Sequence, residues 1–145
     1  MTQTWLGIGQ IDLPEGWELH SQHTLSEPPP PDQVAGANLV ISRVEVAFED
    51  VESAIEGVYE EIASAVPNLE RGATDELTFA DGVAGYRVDV SFLVGPEQRI
   101  IQRHAVRLDG ATLTHFVLSL DITQQARLAE LEPLLNSFSA DAPST

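Results

Sequence analysis

The chain has 145 residues, enough for one domain with a sizeable core. Twenty-three acidic residues stand against seven basic ones, all arginine, for a formal charge of −16. That balance argues against a phosphate-backbone footprint and against attraction to an anionic membrane surface. The absence of cysteine excludes disulfides, thiolate metal sites and thiol nucleophiles in this chain, and no acylated lipoprotein anchor is expected.

The N-terminal stretch lacks the basic start, apolar run and cleavage site of a signal peptide, and no stretch approaches a membrane span, so a cytoplasmic protein is expected. "WLGIGQIDLPEGWELHSQHTL" suggests two strands around a turn at Pro14-Glu15-Gly16. The proline run in "SEPPPPDQVAGA" cannot join a ladder and reads as a loop. No Arg or Lys flanks it to orient it as an SH3-type ligand. "NLVISRVEVAF" is a third strand.

Asp50 opens a helix as N-cap, with Val51, Ala54, Ile55, Val58, Tyr59, Ile62 and Val66 on one broad face and Pro67-Asn68 as its stop. A four-strand meander follows. Asp81-Gly82 and Asp109-Gly110 read as two-residue hairpin turns. The first turn sets Glu76 opposite Arg87; the second sets His104 opposite His115 and Gln102 opposite Val117. Asp121 or Thr123 caps a last helix carrying Leu128, Leu131, Leu134, Leu135 and Phe138, with Pro133 kinking or restarting it. The expectation is a single α+β domain over 1–140 with a disordered tail at 141–145. It has one twisted, mainly antiparallel sheet of six or seven strands and two main helices.

The hairpin "RIIQRHAVRLDGATLTHFVLSLD" is apolar on both faces. Ile100, Val106, Leu108, Leu113 and Val117 share one face; Ile101, Ala105, Phe116, Leu118 and Leu120 share the other. Two helices are expected to cover roughly one face, which leaves the other for long loops or for another chain. Gln102, His104 and His115 interrupt the first face. Gln102 can satisfy its amide within a local network or on a bound segment. The paired imidazoles have no evident third ligand, since Asp89 lies on the opposite face and His20 and His23 belong to a distant segment; no metal and no cofactor are expected. Arg99, Arg103 and Arg107 point to the other face, toward acidic helix residues. The motifs of nucleophile elbows, phosphate loops and zinc proteases are absent, so no enzyme activity is expected.

Across nearly the whole length, "IDLPEGW", "NLVISR", a helix ending in "VPN", "ADGVAGYRVDVSF", "IIQRHAVRLDGATLTHFVLS" and "LEPLLNSF" occur in an order that resembles the DcrB-like domain of PsbP-like fold. The chain is most similar to its soluble branch, the Eag chaperones of type VI secretion. The resemblance implies a cytoplasmic homodimer that shields the hydrophobic N-terminal segment of a secreted effector, without inserting into the membrane itself. By position it implies a client-binding cleft of Val40, Ser42, Val58, Ile62, Val66, Gln102, His104 and Leu113. It also implies that the second sheet face is covered by a partner subunit and a client helix. The alternative is a non-catalytic module of the same fold that binds protein or an apolar ligand without a secretion role.

Overall fold

A computed structural model describes residues 2–5, 10–13, 18–21, 24–27, 36–45 and 50–140. The elements are β1 (Thr2–Trp5), β2 (Gln10–Leu13), β3 (Glu18–Ser21), β4 (Thr24–Ser26), β5 (Asn38–Glu45), α1 (Val51–Ala65), β6 (Glu70–Thr78), β7 (Ala84–Leu93), β8 (Arg99–Asp109), β9 (Thr112–Asp121) and α2 (Arg127–Asn136). β1 and β2 form a separate two-stranded ribbon, and the other strands make a seven-stranded sheet in the order β3-β4-β5-β9-β8-β7-β6. Every neighbouring pair is antiparallel. The fold class is the expected α+β.

The first segment holds four short strands where two were expected. Strands of three or four residues are too short to display a periodicity. The turn expected at Pro14–Gly16, most of the proline-rich loop and the tail at 141–145 lie outside the described residues.

The two helices take opposite faces of the sheet, contrary to the expectation that they share one. α2 and Phe138 pack with Leu25, Leu39, Ile41, Leu77, Phe79, Ile101, Ala105, Phe116, Leu118 and Leu120. α1 places Ala54, Ile55 and Val58 on Val88, Val106 and Leu113. The doubly apolar hairpin follows directly, because each of its faces has a helix to bury. Asp50 caps α1 as its sequence position requires, its carboxylate accepting from the Ser53 amide at 2.7 Å. Asp121 caps a short 3-10 turn at Ile122–Gln124 rather than α2 itself, and α2 begins without a side-chain cap.

Both hairpin turns differ from the expected ones. In the first, the Phe79 amide bonds the Val83 carbonyl and the Gly82 amide bonds the Phe79 carbonyl. This is a three-residue loop, with Gly82 at φ +84° in the left-handed region. Glu76 therefore pairs with Tyr86, and Arg87 with Asp75. In the second, Asp109 pairs with Thr112, so the central residues are Gly110, at φ +64°, and Ala111. His104 then faces Val117, and Gln102 faces Ser119. This second shift amounts to a whole pair step, so every hairpin side chain keeps its face.

One buried side chain explains both turns. Arg107 is 0 % exposed. Its guanidinium donates to both oxygens of Asp81 at 2.9 and 2.7 Å and to both oxygens of Asp109 at 2.9 and 2.8 Å. It lies 5.0 Å from the Phe79 ring centroid and 5.1 Å from that of Phe138. Asp81 also accepts from the Val83 and Ala140 amides. Burial alone would raise the Asp81 pKa; the Arg107 bonds and the Ala140 amide outweigh it and hold the carboxyl below its usual range. Arg103 similarly grips Asp89 at 2.8 and 3.0 Å. The partners of Arg103 and Arg107 are thus strand and turn carboxylates, not helix ones. Their geometry is local, and helix charge patterning does not reveal it.

Replacing Arg107 by Met is expected to cost about 3–5 kcal/mol in urea unfolding, because two carboxylates are left without their buried counter-ion. Adding Asp81→Asn and Asp109→Asn should recover part of that loss. An R107M protein as stable as the parent would show that the cluster holds nothing together.

Candidate functional site

α1 does not sit centrally on its face. Arg71 on β6 donates to Glu56 at 3.2 and 2.5 Å and to Thr74 Oγ1 at 2.8 Å, and its guanidinium lies 4.2 Å from the Tyr59 ring centroid. These contacts draw the helix toward the β6 side, over β7 and β8. On the same face, β5 and the part of β9 beyond Leu113 are not covered by α1. Val40 is 40 % exposed and Val44 54 %, Ser42 is exposed, and His115, Val117 and Ser119 are half-buried. The ladder aligns these residues in rows across the sheet: Asn38, Ser119, Gln102 and Val90; Val40, Val117, His104 and Val88; Ser42, His115, Val106 and Tyr86. The result is a half-open strip beside α1, in which Val40, Val44 and Val117 stand among Asn38, Ser42, His115 and Ser119; it is a shallow trough of mixed apolar and small polar side chains.

A polar chain crosses its floor. Gln102 Nε2 donates to Ser119 Oγ at 3.1 Å. Gln102 Oε1 lies 2.9 Å from His104 Nε2, and His104 Nδ1 lies 2.8 Å from His115 Nε2. The two rings stack with centroids 5.1 Å apart. Burial pushes the His104 pKa down to about 3, with the neighbouring His115 charge a lesser cause, and pushes His115 down to about 4. Both imidazoles are therefore neutral near pH 7, and the floor carries no charge. Their facing nitrogens are occupied by each other, and among the described residues no group of three potential ligands is placed to hold a metal.

The eight residues expected to line a cleft all belong to this side of the molecule, but not all reach its surface. Val40 and Ser42 are exposed, while Ile62, Val66 and Gln102 are half-buried. Val58, Leu113 and His104 are buried in the free protein, Val58 on the underside of α1 and Leu113 packed against it. Gln102 is held in a local network, the first of its two expected alternatives. Val44, His115, Val117 and Ser119 belong to the trough and were missing from the expected set. The hairpin alternation did carry the face of the last three, but the pairing of Gln102 with Ser119 depends on a turn placed one pair step away.

The DcrB family profile matches residues 9–132. The chain belongs to the DcrB family. No curated protein sequence matches it. Among solved structures, a Pseudomonas aeruginosa protein of unknown function is similar over 99 % of this chain and 99 % of its own, at 14 % identity and a TM-score of 0.69. The Ran-binding protein Mog1p of Saccharomyces cerevisiae is similar over 97 % and 96 %, at 11 % identity and 0.65. The cyanobacterial PsbP of Synechocystis is similar over 91 % and 86 %, at 15 % identity and 0.62. At these identities the likeness speaks to the fold, and this DcrB-family chain has the PsbP-like one. No helix among the described residues is long and apolar enough to cross a membrane.

The neutral rings give a pH prediction. Unfolding frees each imidazole to bind a proton at its ordinary pKa near 6.5, whereas the folded protein resists protonation until about 4 or below. The unfolded state thus binds more protons between these limits, and stability falls as pH falls through that window. The expected slope is up to about 1.4 kcal/mol per pH unit for each ring. Replacing both histidines by Leu should flatten the profile between pH 6 and 4.5, measured by urea unfolding at each pH; an unchanged slope would mean the rings titrate normally in the fold.

Proposed function

We propose that the protein is a binding module, not an enzyme, and that its ligand is an apolar helix of another protein laid in the trough beside α1. The observation that carries this reading is the half-open strip in which Val40 and Val44 are exposed and Ser42 and Val117 lie beside them, crossed by a satisfied and uncharged polar chain. An apolar patch of this kind is costly to leave in water unless something covers it. By the resemblance to the Eag chaperones, we take the client to be the hydrophobic N-terminal segment of a type VI secretion effector, held in the cytoplasm before export.

Dimensions support a helix as occupant. From Asn38 to Val44 the strip runs about 20 Å, at roughly 3.3 Å per residue. That length receives about 13 residues of α-helix, whereas a membrane-spanning segment has about 20. One trough shields only part of such a helix, and a second copy of the chain would shield the remainder, which supports a homodimer as the working form. The charge supports the same client. Ion pairs engage Arg71, Arg87, Arg99, Arg103, Arg107 and Arg127, so most of the positive charge is neutralised internally and the surface field is acidic. Basic residues commonly flank membrane helices, and this field would speed their arrival in a salt-dependent way.

The test is Ser42→Trp, which fills the trough from an exposed strand position and should alter unfolding by no more than about 0.5 kcal/mol. A soluble carrier fused to a lysine-flanked apolar helix serves as client in co-expression pull-down and titration. The parent should capture it, with affinity falling as salt rises, and S42W should lose at least about tenfold. Equal capture by both proteins would place the binding surface elsewhere, and retention of a small apolar ligand in place of the helix would point to a different ligand class.

A further inference from the structure

The polar chain on the trough floor has an end that the protein itself does not complete. A carboxamide oxygen only accepts, so the 2.9 Å contact to Gln102 Oε1 requires the proton of His104 to be on Nε2. A neutral ring has one N–H, which makes His104 Nδ1 an acceptor. The 2.8 Å contact then requires His115 Nε2 to donate. His115, neutral as well, ends the chain in a bare Nδ1 acceptor with no hydrogen-bond partner among the described residues. His115 is half-buried, between Ser42 on β5 and Val106 on β8, with Val117 two residues along its own strand. In the free protein, water can serve a half-buried acceptor of this kind. Beneath a wholly apolar helix it would be stripped of water and left unpaired, which is the costly case for a buried acceptor.

Resting on the trough as the helix site, we infer that His115 is a specificity residue, a socket for one hydrogen-bonding side chain on the bound helix. The chemistry that fits is a Ser or Thr hydroxyl or an Asn or Gln carboxamide. If the Gln102 amide turns over, every bond of the chain reverses and His115 presents an N–H instead. Hydroxyls and carboxamides donate and accept, so they match either state, whereas a carboxylate or an ammonium would bring an unpaired charge to an uncharged floor. The trough therefore selects helices that carry one small polar side chain at the position crossing His115.

The experiment uses the full chain and a series of lysine-flanked apolar helices on a soluble carrier, identical except that Thr or Val occupies each position of the central two turns in turn. Affinities are measured for the parent, His115→Leu and His115→Gln. At one position of the series, the ratio of Thr-helix to Val-helix affinity should be about tenfold higher for the parent than for H115L. H115Q, which can still donate and accept there, should keep the parent's ratio. If H115L does not fold, His115→Phe serves as the apolar replacement. Binding of all helices with the same ratio in parent and apolar variant, at every position, overturns the socket and leaves the trough standing. Failure of the parent to bind any helix overturns the trough itself, and the socket with it.

Discussion

The arrangement depends on one buried guanidinium. Arg107 lies against the rings of Phe79 and Phe138 and holds Asp81 in one hairpin turn and Asp109 at the shoulder of the next. Asp81 in turn receives the Ala140 amide, which ties the segment after α2 to the same point. A buried ion cluster of this kind adds little net stability over an apolar replacement, but it is expensive to break and it discriminates among registers. Here the discrimination matters. By fixing both turns it fixes which residues stand beside one another across β7, β8 and β9, including those on the face Arg107 never touches. The pairing of Gln102 with Ser119 and the diagonal approach of His104 to His115 follow from a charge cluster on the opposite side of the sheet.

That dependence explains what could be read from the sequence. The α1 span, its Asp50 cap and its apolar stripe rest on local rules, and the structure agrees with each. The two faces of the β8–β9 hairpin were legible because alternation survives a shift of a whole pair step. The turns themselves were not. Asp-Gly is compatible with several hairpin loops, and the choice among them is made by Arg107, which is 26 residues away from Asp81. A one-residue change of loop length moved Arg87 from Glu76 to Asp75. The side of the sheet each helix takes was equally hidden, since β8 and β9 are apolar on both faces and periodicity has no preference between them. The position of α1 along its face was hidden as well, because it depends on Arg71 reaching Glu56 and Tyr59 from a strand edge.

The two faces of the sheet do different work. The α2 face is a closed core in which leucines and three mutually packed phenylalanines exclude water. The α1 face is half closed, with its open half next to a helix and floored by a neutral hydrogen-bonded chain. Polar groups that are already satisfied can face an apolar ligand at low cost, and an unfinished acceptor among them gives that contact a preference. Family membership and fold are common to proteins whose faces are filled differently, so a function cannot be taken from the fold. It rests here on the trough.

The most direct test of that trough is to map it in solution. Methyl and backbone resonances of the free protein would be followed while a lysine-flanked apolar helix is added. Val40, Val44 and Val117 methyls and the His115 ring are expected to shift together and saturate, with Leu128, Leu134 and Phe138 on the α2 face unmoved. Saturable shifts confined to the α2 face, or none anywhere while the helix remains soluble and present in excess, would contradict it.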